Sequence, residues 1–198
     1  MSDNEKIWGY EFEKDKEIKA GQLLLSEPFM FDENFKRTVV LVCEHNEESG
    51  TVGLILNKPV NLRLNDVVEG FPPFKGKVFL GGPVGTDTLQ FLHSLGDKIE
   101  DSLQITKGLY WGGNFEQMKL MMSTGEIQPD EIRFYLGYSG WSPNQLMEEI
   151  KVNSWIISPA KKGHIFQSDF NQLWREVMLG MGGVYSTMAN YPENPALN

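Results

Sequence analysis

A single cysteine, Cys43, excludes an internal disulfide framework and suits a reducing compartment. Histidine is equally scarce: His45, His93 and His164 stand at no metal-ligand spacing with one another or with Cys43, and no H-E-x-x-H run occurs. No structural metal and no cofactor is therefore expected. Long apolar runs are missing too, since Thr38 to Cys43 and Leu54 to Leu56 fall far short of the ~20 residues that span a bilayer. The first residues alternate acid and lysine without an apolar core or small-residue cleavage site, so a soluble, cytoplasmic protein with no membrane contact is expected. Basic residues are in deficit: 18 Lys and Arg against 27 Asp and Glu give a net charge of -9. The densest basic pair, Lys161-Lys162, does not extend into a patch, which argues against direct DNA binding because phosphate neutralisation needs clustered cations.

What is present suffices for one folded unit. The 198 residues, 40% hydrophobic, fit a single domain able to bury its own core. No repeat or low-complexity linker divides them. We read residues 1–20 as an N-terminal arm, 21–183 as the domain and 184–198 as an extended, irregular tail rich in Asn and Pro. The arm carries Ile7, Trp8, Tyr10 and Phe12, and could dock on the domain or on a second copy to make a homo-oligomer.

Hydrophobic patterning indicates mixed α and β structure. Val39-Val40-Leu41-Val42 and Val52-Gly53-Leu54-Ile55 are apolar on both alternate faces, as strands covered on both sides are, and the polar Glu44 to Gly50 stretch between them predicts an antiparallel hairpin. Gly53 suggests a bulge or a close approach. Further elements are a short helix near Leu64 to Glu69, strands near Lys77 to Leu80 and Leu89 to His93, and a helix opening at Asn114, which with Gln117 resembles a capping box. A strand Ile132 to Tyr138, a turn, a helix Pro143 to Lys151 and a strand Ser154 to Ile157 follow; if the two strands were parallel neighbours, the crossover would be right-handed. Phe170, Leu173, Trp174 and Val177 give a last helix, Asp169 to Leu179, one apolar face.

The chemistry-bearing stretch is Gly137-Tyr138-Ser139-Gly140-Trp141 and the helix after it. Read as strand, turn and helix, it has Ser142 as a cap and Pro143 in the first turn, and the free N–H groups of a helix start invite an anion, with plain capping as the competing use. Ser139 in Gly137-x-Ser139 resembles part of a hydrolase nucleophile elbow, but Trp141 replaces the small residue that the elbow requires. A hydrolase would draw on Ser139 or Glu149, with His45, His93 or His164 as proton carrier. Gln145, Glu149 and Asn153 recur on one helical stripe that is either a solvated face or a groove wall beside Trp141 and Trp155. In the second case Gly137, Tyr138, Gly140, Trp141, Gln145, Glu149, Asn153 and Trp155 form a site for a small ligand or protein partner. Gly81-Gly82-Pro83 reads as a rigid turn, and Cys43 as an inert buried thiol.

Taken in order, Gly21-x-Leu23-Leu24, Phe35-x-Arg37-Thr38-Val39, Glu44-His45, Gly53 to Pro59, Gly81-Gly82-Pro83-Val84, Leu92-His93, Gly137 to Trp141 and Gln145 to Trp155 resemble the bacterial AlgH/YqgE family, described as transcriptional regulators without an assigned biochemical activity. The resemblance spans about Gly21 to Gly180. It implies an α+β fold, a single compact domain whose bifurcated, mostly antiparallel sheet curls into a partial barrel flanked by helices. It also implies a regulator working through ligand or protein binding rather than DNA contact. The family commonly has Ala where this chain has Ser139, which weighs against a serine nucleophile.

Overall fold

The computed structural model describes residues 17–166 and 169–193. The apolar runs form β2 (Val39–Asn46) and β3 (Gly50–Ile55), an antiparallel hairpin, and β1 (Gln22–Ser26) pairs with the other edge of β2. Alternation sorts their side chains to two faces. Leu23, Leu25, Val39, Leu41 and Leu54 join one core cluster, and Leu24, Val40, Val42 and Ile55 join another. The hairpin register shifts between Val42 and Glu44, opposite Gly53, so the bulge expected near that glycine sits on the facing strand.

Six more strands complete the sheet: β4 (Val78–Leu80), β5 (Val84–His93), β6 (Leu103–Thr106), β7 (Leu109–Trp111), β8 (Ile132–Trp141) and β9 (Trp155–Pro159). The strand order is β6-β7-β5-β8-β3-β2-β1-β9, with β4 joined to β8 in the only parallel pairing among the described residues. The fork lies on β8. Its first half, through Leu136, pairs with β4 and β5, and Ser139 to Trp141 pair with β3.

The sheet curls but does not close, because β6 and β9 end the order without pairing to each other. Trp141 of β8 and Trp155 of β9 are four strand steps apart, about 19 Å in a flat sheet. Their ring centroids nevertheless lie 5.7 Å apart. Strong twist and curl across β3, β2 and β1 bring them together.

Helices cover both faces. Leu146 and Ile150 of α3 (Gln145–Lys151) close over the concave cluster with Trp141 and Trp155. Leu173, Trp174, Val177 and Met178 of α5 (Leu173–Met181) and Met188 of α6 (Gly183–Met188) cover the opposite face. Beside the first half of β8, Leu64 of α1 (Leu64–Val67) and Met118 and Met121 of α2 (Phe115–Ser123) pack around Phe91 and Phe134. A short α4 (Lys162–Phe166) follows β9.

Several expectations need correction. The strand expected at Ile132 to Tyr138 runs on to Trp141, so residues 139–141 are not a turn but the end of β8. The helix after it starts at Gln145 rather than Pro143, because Asn144 takes the left-handed conformation (φ 65°). The flanking strands β8 and β9 are not neighbours, so no crossover unit forms. The last helix starts at Leu173, with Phe170 packed on the core ahead of it. The stretch from Tyr185 to Met188, expected to be extended, is helical, and Met188 and Ala189 are buried. At α2, Asn114 accepts the Gln117 N–H as a cap should, but the Gln117 side chain accepts the Glu100 N–H instead of closing a box. The arm's aromatics lie outside the described residues.

Candidate functional site

The fork explains its glycines. Gly81, just past β4, donates its N–H to Leu136 O and its carbonyl accepts both the Ile55 N–H and the Ser139 hydroxyl (3.1 Å), so one residue ties β3, β4 and β8. That packing is backbone on backbone. Gly137 has φ 64°, and a Cβ there would lie 2.6 Å from Val84 O; one on Gly81 would overlap Gly137 O. Ser139 is fully buried at this junction. Its environment is that of a structural hydroxyl, with no exposed Oγ such as an elbow presents. Gly140 faces outward, and Tyr138 packs at the edge of the large core cluster.

Trp141 and Trp155 are 5% and 3% exposed, which places both indoles inside the protein and corrects their assignment as walls of an open groove. Both point their N–H at one carboxylate: Glu149 Oε2 accepts Trp141 Nε1 (2.9 Å) and Trp155 Nε1 (2.7 Å). Glu149 Oε1 accepts from Gln145 Nε2 (2.9 Å), and Gln145 Oε1 in turn accepts the Ser142 N–H, tying the loop before the helix to its first residue, while Ser142, expected as the cap, lies ahead of the N-cap residue Asn144. Phe35 packs on both indoles. Glu149 thus clasps β8 to β9 through α3. Asn153 ends the helix in a left-handed turn (φ 62°), with a buried side-chain amide nitrogen that lacks a partner. A seven-residue helix opening on Asn144 offers no anion cradle.

The histidines do not meet these groups. His93 is buried, with Nδ1 accepting the Leu95 N–H and Nε2 against Ser102 Oγ and Gly112 O; burial lowers its pKa, partly offset by the Gly112 carbonyl. His45 Nδ1 bonds Thr51 Oγ1 (2.8 Å). Burial, then the neighbouring Glu44, push the Cys43 thiol far above its usual pKa, consistent with an inert thiol. Among the described residues no group of three or more His, Cys, Asp or Glu could hold a metal, and no helix is long and apolar enough to cross a membrane.

A cleft of about 380 Å³ lies where β9 meets α4, α5 and α6, lined by Ile157, Ser158, Lys161, His164, Glu176 and Tyr185 among others. Such a volume is in the range of small-molecule sites. His164 Nδ1 accepts the Lys161 N–H (3.3 Å), so the neutral ring carries its proton on Nε2; burial first, then Lys161, hold its pKa below the usual value. Sequence reasoning noted Lys161-Lys162 and His164 but did not join them to Glu176. The available signal was Pro159 closing a strand directly before that cationic run, a mark of a sheet edge. A second hollow, about 570 Å³, is lined by Glu17, Lys19, His45, Asn46 and the hairpin loop.

Comparison with known proteins gives a consistent pattern. A family profile described as AlgH-like matches residues 23–186. A UPF0301 protein of Chlorobium phaeobacteroides is 45% identical over 188 residues, covering 95% of this chain and 98% of that protein. One from Cytophaga hutchinsonii is 44% identical over 182 residues, covering 91% of this chain and 100% of its own length. Among solved structures, the AlgH protein of Pseudomonas aeruginosa superposes with a TM-score of 0.71 at 27% identity over 89% of this chain and 98% of that one. Protein DIP2367 of Corynebacterium diphtheriae, at 22% identity, shares the fold with a TM-score of 0.73 over 89% of this chain and 94% of that chain.

Proposed function

The chain belongs to the AlgH-like family, and on that premise we propose that it is a non-catalytic regulatory protein that binds a small ligand in the β9 cleft and signals through a protein partner. The observation that carries this reading is the cleft itself: titratable side chains from three segments converge there on about 380 Å³ of open space, while Ser139, Trp141, Glu149 and Trp155 are held in hydrogen bonds within the fold. In this reading Gly137, Tyr138, Gly140, Trp141, Gln145, Glu149, Asn153 and Trp155 support the site rather than line it, because the Glu149 clasp fixes the start of β9. The net charge of -9 argues against DNA as the partner.

Gly180 supplies the test. It lines the cleft, and a Cβ built there meets nothing within 4 Å, so Gly180→Phe should fill the cleft without disturbing the helix. In a thermal-shift screen of metabolites, a ligand at 100 times its Kd adds about 2.7 kcal/mol, which for a domain of this size is about 5 to 11 °C. Binders should shift the wild type and lose that shift in Gly180→Phe. Fluorescence anisotropy with duplex DNA should show no salt-sensitive binding. A binder indifferent to Gly180→Phe, or DNA binding that weakens steeply with salt, would refute the proposal.

A further inference from the structure

The cleft presents opposite charges from different segments. Lys161 and His164 come from the β9–α4 side, and Glu176 comes from α5. Among the described residues neither Lys161 nor Glu176 takes part in an ion pair, so the cation and the anion face the same space without neutralising each other. His164 adds an oriented donor, since Lys161 fixes its Nδ1 and leaves Nε2–H to point elsewhere.

The edge of β9 adds a second kind of contact. Glu27 donates to Ser154 O, and Ala160 donates to Gly21 O, at either end of the β1–β9 pairing. In an antiparallel ladder the residues that bond one neighbour alternate with those that face away. Ser154, Ile156, Ser158 and Ala160 therefore bond β1, and the N–H and C=O of Ile157 turn to the unpaired edge on the cleft side. Pro159, the next outward position, has no N–H, which limits pairing there to a very short segment.

We propose that the cleft is a site for a small zwitterion of the α-amino acid or dipeptide type. Its carboxylate is held by Lys161 and His164 Nε2–H, its ammonium by Glu176, and, in a dipeptide, its amide by the outward edge of Ile157. A purely anionic ligand would leave Glu176 facing like charge, and a purely cationic one would meet Lys161. This assignment rests on the reading of the cleft as the ligand site.

Calorimetric titration of the full chain with L-alanine, L-glutamate, L-lysine, Gly-Gly and Ala-Ala tests it, with propionate and propylamine as single-charge controls. At least one zwitterion should bind at least tenfold more tightly than both controls, a preference for Gly-Gly or Ala-Ala over the free amino acids identifying the dipeptide source. Lys161→Ala and Glu176→Gln, both at exposed positions, should each weaken that binding at least tenfold while the ligand-free unfolding midpoint stays put. If propionate binds as well as any zwitterion and Gly180→Phe abolishes it, the cleft stands and the zwitterion assignment falls. Zwitterion binding that survives Gly180→Phe overturns both, and the absence of binding by every zwitterion overturns the ligand class.

Discussion

Replacing Glu149 separates a clasp from a solvated helix face. In Glu149→Ala the indole N–H groups of Trp141 and Trp155, both on buried residues, lose their shared acceptor, and Gln145 loses one partner. An unsatisfied buried donor costs about 1 to 3 kcal/mol. Glu149 is itself half-buried, so water reaches part of the vacated space, and we expect a total near the low end, about 3 kcal/mol for the two indoles together. For a domain of this size that is a fall of about 6 to 12 °C in Tm. Glu149→Gln discriminates further. Its amide oxygen can still take both indoles, but its NH2 then faces the Gln145 NH2, and Gln145 cannot flip without abandoning the Ser142 N–H. The loss is one peripheral bond, about 1 kcal/mol. Glu148→Ala, which removes only an exposed pair with Lys151, should cost under about 0.5 kcal/mol. Urea unfolding followed by tryptophan fluorescence gives all three values. The clasp is refuted if Glu149→Ala matches Glu148→Ala, or if Glu149→Gln costs as much as Glu149→Ala.

The remaining expectations are independent of the clasp. Gly137→Ala forces a side chain into a left-handed position against Val84 O and should cost at least about 2 kcal/mol in the same urea assay; a loss under about 0.5 kcal/mol would contradict the packed fork. Cys43 should react with a thiol-exchange reagent at pH 8 only as fast as the protein unfolds, so a stoichiometric burst in native buffer would contradict its burial. His93 has a folded pKa below its unfolded value of about 6.5, so the unfolded chain takes the proton first as pH falls. His93's contribution should be complete above pH 6.5 and decline below it, by at most about 1.4 kcal/mol per pH unit, until its folded pKa is reached, and His164, lowered likewise, adds to the same slope. His93→Gln should reduce that slope to the share of His164, and an unchanged slope would show that His93 contributes none of it.

Parts of this fold are legible because local chemistry and tertiary packing agree. The β2–β3 hairpin follows from two runs apolar on both faces, and each face feeds its own core cluster. Asn114 caps α2 as its side chain dictates. The sequence misleads at Gly137 to Trp141, where two glycines in five residues suggest a turn; at Gly137 the cause is the backbone of Gly82 and Val84, more than 50 positions away, which leaves no room for a Cβ on β8. Glu149 misleads similarly. Its helical stripe is visible, but only the curl of the sheet aims two indole N–H groups at one oxygen. Strands β6 and β7, of four and three residues, are too short to carry a period, and α6 hides behind Gly182-Gly183. The cleft escapes a linear reading because its charged residues converge from β9–α4 and α5.

Backbone NMR of the full chain, titrated with the first ligand that raises its Tm, tests the assignment of the cleft most directly. Shifts concentrated at Ile157 to His164 and Glu176 to Tyr185, with Gly137 to Gln145 almost unmoved, are the expected result. Shifts centred on Gly137 to Gln145 with the β9–α5 resonances unchanged would contradict it.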